Sequence, residues 1–128
     1  MFIGRSKVMK LIELSWVWAL LLLGCSHQAP IGYSQQGQAL AYDNLWQSWE
    51  TANGEIFNQG SLTAAHKTLP FGTLVKVTNL DSGTSVIVRI NDRGPFDGGQ
   101  VIMMSLKAYG EIASAKNGET PVRIEVVR

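Results

Sequence analysis

Two runs, Leu74-Val75-Lys76-Val77-Thr78-Asn79 and Ser85-Val86-Ile87-Val88-Arg89-Ile90-Asn91, alternate apolar and polar residues on either side of Asp81-Ser82-Gly83. A period of two turns one face of an extended chain toward an apolar interior and the other toward water, and the intervening turn residues join the runs as a hairpin. Pro121-Val122-Arg123-Ile124-Glu125-Val126-Val127 repeats the alternation. An isolated hairpin is marginal in water, so these strands need partners. Weaker strand patterns around Gln38–Tyr42, Ile56–Phe57 and Gln100–Met104 supply them. Ser105 to Ala113 fits a short helix, with Ser105 as N-cap and Leu106, Tyr109 and Ile112 or Ala113 on one face, although Gly110 weakens its interior. Many short strands with one helix predict a mainly β fold, a small barrel whose closure leaves no exposed sheet edge.

The chain has 128 residues, enough for one domain and little more. Its first 24 residues do not read as part of a fold. Arg5, Lys7 and Lys10 precede an apolar run from Leu14 to Leu23, broken only by Ser15. That run is about half the roughly 20 residues a bilayer-spanning helix needs, and a positive flank with a short apolar stretch is the pattern of an export signal. Leu22-Leu23-Gly24-Cys25 resembles a bacterial lipobox, and Cys25 is the single cysteine of the chain. The resemblance implies cleavage before Cys25 and lipidation of its thiol. Ser26 carries no acidic retention signal, so the expected location is the outer membrane, facing the periplasm. A lipid-anchored chain is tethered to a membrane surface and does not cross it. Residues 25–36, rich in Ser, Gln, Pro and Gly, read as a flexible tether, and residues 37–128 as one domain.

The formal net charge is +1, and removal of the export segment, with its three basic residues and one acidic residue, makes it slightly negative. Such a chain lacks the basic stripe a nucleic-acid binder needs. One cysteine excludes an intramolecular disulfide framework, and two distant histidines, His27 and His66, argue against a histidine metal site. No cofactor is expected.

Four segments hold residues able to do chemistry. A strand of Val and Ile runs into Asn91-Asp92-Arg93-Gly94-Pro95, where the chain must turn, so Asp92 sits at a strand end. It is either a side chain aimed into a groove or a turn carboxylate capping backbone amides. His66, in Ala64-Ala65-His66, is either a satisfied buried histidine or a proton-transfer partner or carboxylate orienter. Glu55 follows Asn53-Gly54 and either faces water, holds a sugar hydroxyl or tunes a neighbouring carboxylate. Tyr42, Trp46 and Trp49 are either core or flat faces for sugar rings.

Thr51-Ala52-Asn53-Gly54-Glu55, Leu62-Thr63-Ala64-Ala65-His66-Lys67-Thr68-Leu69-Pro70, Val77-Thr78-Asn79-Leu80 and Asn91-Asp92-Arg93-Gly94-Pro95-Phe96 closely resemble, in order and spacing, the rare lipoprotein A family. The resemblance runs from about Gly37 to the C-terminus. It implies a six-stranded double-psi β-barrel with one or two short helices, related to expansins. It implies lytic cleavage of the β-1,4 bond between N-acetylmuramic acid and N-acetylglucosamine in peptidoglycan, on peptide-stripped strands and with a 1,6-anhydro product. Envelope or cell-division proteins are further partners the resemblance suggests. By position, Glu55, His66 and Asp92 match family residues implicated in activity. Asn91, Arg93, Asn58 and Thr63 are expected to meet substrate, with the aromatics at 42, 46 and 49. Three departures stand out: Ala39-Leu40-Ala41-Tyr42-Asp43 in the opening motif, Asn58 where an acid is common, and Met103 in place of an aspartate that acts as acid/base in related barrels. Methionine transfers no proton. Activity then rests on Asp92, with Glu55 and His66 nearby, or is lost; Asp92 is expected to be buried in the groove in its protonated form, with Arg93 pointing away or contacting sugar or backbone. The rival expectations are an expansin-like, non-catalytic wall-binding module and a purely structural envelope lipoprotein.

Overall fold

The computed structural model describes residues 29–128; Cys25, the export segment and the start of the tether lie outside the described residues. The strands are β1 (Ser34–Ala41), β2 (Thr63–Ala65), β3 (Leu74–Asn79), β4 (Ser85–Asp92), β5 (Gln100–Met104) and β6 (Thr120–Val126). They close into a six-stranded barrel in the order β1-β5-β2-β4-β3-β6. β1 and β5 run parallel, as do β2 and β4, and the other neighbours are antiparallel. One α-helix among the described residues, α1 (Leu106–Ile112), follows β5, and a 3-10 turn (Asn44–Trp46) follows β1.

The alternation predicted for β3, β4 and β6 is what fills the barrel. Val75, Val77, Val88, Ile90, Val122, Ile124 and Val126 point inward with Ala39, Ala64, Ile102 and Met104. Helix α1 adds Ala108, Tyr109 and Ile112 to this core. Ser105 is its N-cap: Oγ accepts from Ala108 N at 3.2 Å and donates to the carbonyl of Ser61. The Tyr109 hydroxyl is satisfied by Asn117 O at 3.0 Å and Thr120 Oγ1 at 2.7 Å, which makes a full phenol tolerable in the interior.

Two expectations are corrected. The tether expected to reach residue 36 ends earlier, because Ser34, Gln35 and Gln36 already pair with Glu125, Ile124 and Arg123 in β6. Their polar side chains carry no strand signal; the ladder recruits their backbone. The strand expected at Ile56–Phe57 is a single bridge, Glu50 to Ile56, in a loop that folds over the barrel wall.

Register irregularities shape the wall that carries the candidate residues. β1 and β5 slip between Gln38 and Ala39, and β2 and β4 slip so that Ala64 opposes Ile90 while Ala65 opposes Asp92. The second slip leaves Asn91 as an extra residue. An extra residue of this kind re-aims the side chains beside it. Ile90 points into the core, whereas Asn91 and Asp92 both bond groups on the outer side of the barrel.

Candidate active site

Leu40, Met103, Ala65 and Asp92 face one another in register across β1, β5, β2 and β4. Leu40, Met103 and Ala65 form the floor of a second apolar cluster with Tyr42 and Phe57, bordered by Trp46 and Phe96. This cluster lies on the outer face and is roofed by the segment between β1 and β2. Gln59 fixes that roof: Nε2 donates to Tyr42 O at 3.0 Å, and Oε1 accepts from Leu106 N at 2.8 Å. Asp92 stands at the open edge of the cluster.

The Asp92 carboxylate is half-buried and has two unlike oxygens. Oδ1 accepts from the backbone N–H groups of Ala52 at 3.0 Å and Arg93 at 2.9 Å. Oδ2 meets one partner, the Tyr42 hydroxyl at 2.7 Å. Tyr42 is 3% exposed and its ring stacks on Phe57 with centroids 4.1 Å apart. Burial, then the hydrogen bond to Asp92 and its charge, hold the phenol well above its ordinary value, so it remains neutral. The expected role of Tyr42 as a face for sugar is therefore corrected: the ring is covered, and the hydroxyl is the group in use. Trp49 is 62% exposed and meets Trp46 edge-on at 5.7 Å, so its ring is open to a ligand.

Glu55 reaches the same wall from the loop. The turn before it is locked by Asn53, whose Oδ1 accepts from Thr51 Oγ1 at 2.6 Å and Glu55 N at 3.2 Å. Gly54 sits at φ +92°, a backbone region open to glycine at little cost. The turn presents Glu55 to β4, where Oε1 accepts from Arg89 Nη1 at 2.9 Å and Asn91 Nδ2 at 3.0 Å. Those two bonds, Arg89 first, hold the carboxyl down to about 2. Glu55 is thus an ionised group at neutral pH and no proton donor. A cleft of about 230 Å³ opens beside it, lined by Glu55, Ile56, Asn58, Ser61, Thr63, Arg89 and Asn91. The sequence reading missed Arg89, although the period of β4 puts positions 89 and 91 on one face.

His66 and Arg93 point elsewhere. His66 Nδ1 accepts from the backbone N–H groups of Thr68 and Leu69, both at 3.1 Å, which leaves the proton on Nε2, 3.0 Å from Gln35 Oε1. Burial, then the charges of Arg93 and Lys67, lower its pKa and favour the neutral ring. The proton-transfer role expected of His66 finds no geometry here, since both nitrogens are engaged and no hydrogen bond joins the ring to the Asp92 carboxylate. His66 meets Asp92 only through backbone, its N–H donating to Asp92 O at 3.0 Å. Arg93 Nη1 donates to the carbonyls of His66 at 3.0 Å and Leu69 at 2.7 Å, and the guanidinium lies 4.0 Å over the Phe71 ring. It braces the 66–69 loop and makes no ion pair with Asp92. Of the contacts expected of it, with sugar or with backbone, the fold shows the backbone ones. The three residues matched by motif therefore fall into three hydrogen-bond groups: Asp92 with Tyr42, Glu55 with Arg89 and Asn91, His66 with Gln35. Met103 is 4% exposed in the apolar floor, two strands from Asp92 with only Ala65 between. Among the described residues no three of His, Cys, Asp or Glu converge to hold a metal ion.

A family model described as lytic transglycolase matches residues 34–124, which is the whole barrel but for the last strand residues. The chain is 47% identical over 98 residues to the endolytic peptidoglycan transglycosylase RlpA of Vibrio cholerae, covering 77% of this chain and 37% of that protein. It is 45% identical over 97 residues to the protein of the same name from Campylobacter jejuni, covering 76% and 35% respectively. The chain thus spans about a third of the length of these curated relatives. Among solved structures, a Streptomyces papain inhibitor shares the fold with TM-score 0.65 at 20% identity, over 79% of this chain and 100% of that one. A mutant Clavibacter michiganensis expansin in complex with cellohexaose shares it with TM-score 0.58 at 18% identity, over 75% of this chain and 51% of that one. The closed topology with its two parallel pairs and the match along the barrel agree, and the chain belongs to the lytic transglycolase family of double-psi β-barrels, on the rare lipoprotein A branch.

Proposed function

We propose that this chain is an endolytic lytic transglycosylase of peptidoglycan, with Asp92 as its acid and base. The observation that carries the reading is the 2.7 Å contact between Asp92 Oδ2 and the Tyr42 hydroxyl. Oδ1 is occupied by two N–H groups, which only donate. Oδ2 faces a hydroxyl, which either donates to a carboxylate or accepts from a carboxylic acid. Asp92 can therefore hold a proton on Oδ2 in one step and lack it in the next without losing a partner. Glu55 Oε1 and His66 Nδ1, by contrast, face groups that only donate.

In the proposed reaction, Oδ2–H protonates the glycosidic oxygen of the β-1,4 bond that follows N-acetylmuramic acid. The C1–O4 bond breaks, the 6-hydroxyl of the same muramic acid attacks C1, and its proton passes to Asp92. The products are a 1,6-anhydro end and a free 4-hydroxyl, and no water is consumed. Glycosidases ordinarily divide such work between two carboxylates. A nucleophile already held in the substrate makes the second one unnecessary, which fits a site with methionine at position 103. Relatives known as endolytic peptidoglycan transglycosylases support this substrate class. Lipidation of Cys25 and an outer-membrane location facing the periplasm belong to the same proposal. They rest on the lipobox-like Leu22-Leu23-Gly24-Cys25.

The test is incubation of the full chain with amidase-treated sacculi and mass analysis of the released glycans. Anhydro-muramic ends are expected from the wild type, and Asp92→Asn is expected to lower their rate about a hundred- to ten-thousandfold. Undiminished turnover by Asp92→Asn would refute the assignment. A second reading, an expansin-like module that grips glycan without cutting it, is favoured by Met103 in the apolar floor. Retention on sacculi with no anhydro product would establish it.

A further inference from the structure

Only residues 26–28 separate Cys25 from Ala29, which packs against the barrel core. Beyond Ala29 the chain is pinned to the barrel. Tyr33 N donates to Pro30 O at 3.1 Å, Gly32 N to Val126 O at 2.9 Å, and Val126 N to Tyr33 O at 2.9 Å. The four steps from Cys25 to Ala29 span about 14 Å at full extension. A domain of this size has a radius of gyration of about 13 Å. If Cys25 is anchored in a bilayer, so short a tether fixes which end of the barrel meets it. The surface at that end is apolar. A hollow of about 370 Å³ opens there, lined by Ala29, Ile31, Pro70, Phe71 and Arg128. Ile31 is 76% exposed and Phe71 41%. No acidic side chain lines the hollow, and the Arg93 guanidinium lies 4.0 Å over the Phe71 ring. Exposed apolar side chains flanked by arginines, with no carboxylate among them, suit a lipid interface: the apolar groups enter the acyl boundary and the guanidinium groups meet phosphates.

We infer that the face formed by Ile31, Phe71 and Arg128 is a membrane-docking surface, seated on the phospholipid headgroups of the bilayer that holds Cys25. The inference rests on the anchoring of Cys25 and goes beyond it, because an anchor alone leaves the barrel free to turn on its tether. A surface of this size holds a bilayer weakly by itself. A short tether supplies an effective concentration in the millimolar range, which turns weak contact into a standing orientation. Arg93 links this face to the proposed acid: its N–H donates to Asp92 Oδ1 at 2.9 Å while its guanidinium covers Phe71. The docked barrel therefore keeps Asp92 one arginine side chain away from the membrane face. β3 sets the opposite end of the molecule. Phe71 precedes this strand and Leu80 follows it, about 20 Å further along, and Leu80 is 42% exposed, a match for Phe71.

The test uses the full chain, expressed with its export segment and reconstituted into vesicles of phosphatidylethanolamine and phosphatidylglycerol. An environment-sensitive fluorophore is attached at Ile31→Cys in one sample and at Leu80→Cys in another, and quenching by nitroxide-bearing lipids is measured. Both positions are exposed, so the fold tolerates the labels. The label at 31 is expected to be quenched about threefold more than the label at 80. The tether alone would keep position 31 near the bilayer, so a second variant separates docking from proximity. Phe71→Glu, placed in the Ile31→Cys chain, is expected to bring quenching down to about the level seen at position 80, because a carboxylate is expelled from the headgroup layer. Equal quenching at 31 and 80, or quenching at 31 that survives Phe71→Glu, overturns the docking surface. So does a blue-shifted label at 31 that lipid nitroxides do not quench and that depends on protein concentration, which would give the face to a second copy of the chain. Mass analysis of the purified chain reads the anchor separately. A chain without lipid on Cys25 refutes the anchoring, and the same labels in a Cys25→Ser chain then decide the face against added vesicles of the same composition. Lipid on Cys25 with equal quenching leaves the anchor and removes the face.

Discussion

A single hydroxyl, that of Tyr42, is the protein partner of Asp92 Oδ2. Tyr42→Phe keeps the ring stacked on Phe57 and removes only the partner of Asp92 Oδ2. The expected result is a fall in kcat of about ten- to a hundredfold with KM nearly unchanged, since the group touches the acid and no subsite. Turnover unchanged in Tyr42→Phe would mean that the hydroxyl plays no part in the reaction. Acid sensitivity separates the other two groups. His66 has a lowered pKa in the fold, so its contribution to stability is complete above about 6.5, the ordinary value, and is lost as pH falls below it. Glu55 is lowered from 4.5 to about 2, so its contribution is complete above 4.5 and is lost as pH falls toward 2. Glu55 is 41% exposed, which screens the pair with Arg89 and limits the second loss to less than about 1 kcal/mol. Thermal unfolding from pH 7 to 2 should show two separate declines. His66→Ala should abolish the first and lower stability by about 2 kcal/mol at pH 7, because Thr68 and Leu69 N–H lose their acceptor. Glu55→Gln should abolish the second.

The strands place these groups through small irregularities. Gly37 allows β1 to pass Val101 where the β1–β5 register slips nearby: a Cβ at position 37 would lie 2.3 Å from Val101 Cγ1. Gly37→Ala should therefore cost about 1–3 kcal/mol, as overpacking does, and Val101→Ala should restore most of it. Denaturant melts of the two single variants and the double variant give the coupling energy, and additive effects would refute the contact. At the helix, Ser105 ties α1 to the loop above it through Ala108 N and Ser61 O. Ser105→Ala should lower stability by about 1 kcal/mol or more, and since Ser61 lines the cleft it should also weaken glycan binding. The three-residue β2 was invisible in the sequence. Thr63, Ala64 and Ala65 are all buried, so no alternation marks them, and alanine and threonine carry little strand signal of their own. β2 exists because β4 and β5 each offer it a ladder.

At the scale of the molecule, closure joins segments remote in sequence: β1 pairs with β5 and β6, and β2 with β4. Removing residues through Ala41 would leave β5 and β6 with open edges, so that truncation is expected to aggregate and to show no dispersed amide spectrum. The alternation of β3, β4 and β6 was legible because each strand buries one face and wets the other, and the turn after β3 was legible in Asp81-Ser82-Gly83. The motif residues Asp92, Glu55 and Asn91 were legible too, as residue types at a strand end and in a tight turn. Their division of labour was not. That Asp92 meets Tyr42, that Glu55 is spent on Arg89 and Asn91, and that His66 turns to Gln35 depend on contacts between residues separated by 31 to 50 positions in the chain. Local sequence determines which face of a strand is apolar, because that follows from neighbouring side chains. Which partner each carboxylate meets is decided by contacts that only the closed barrel and its register slips bring within hydrogen-bond range.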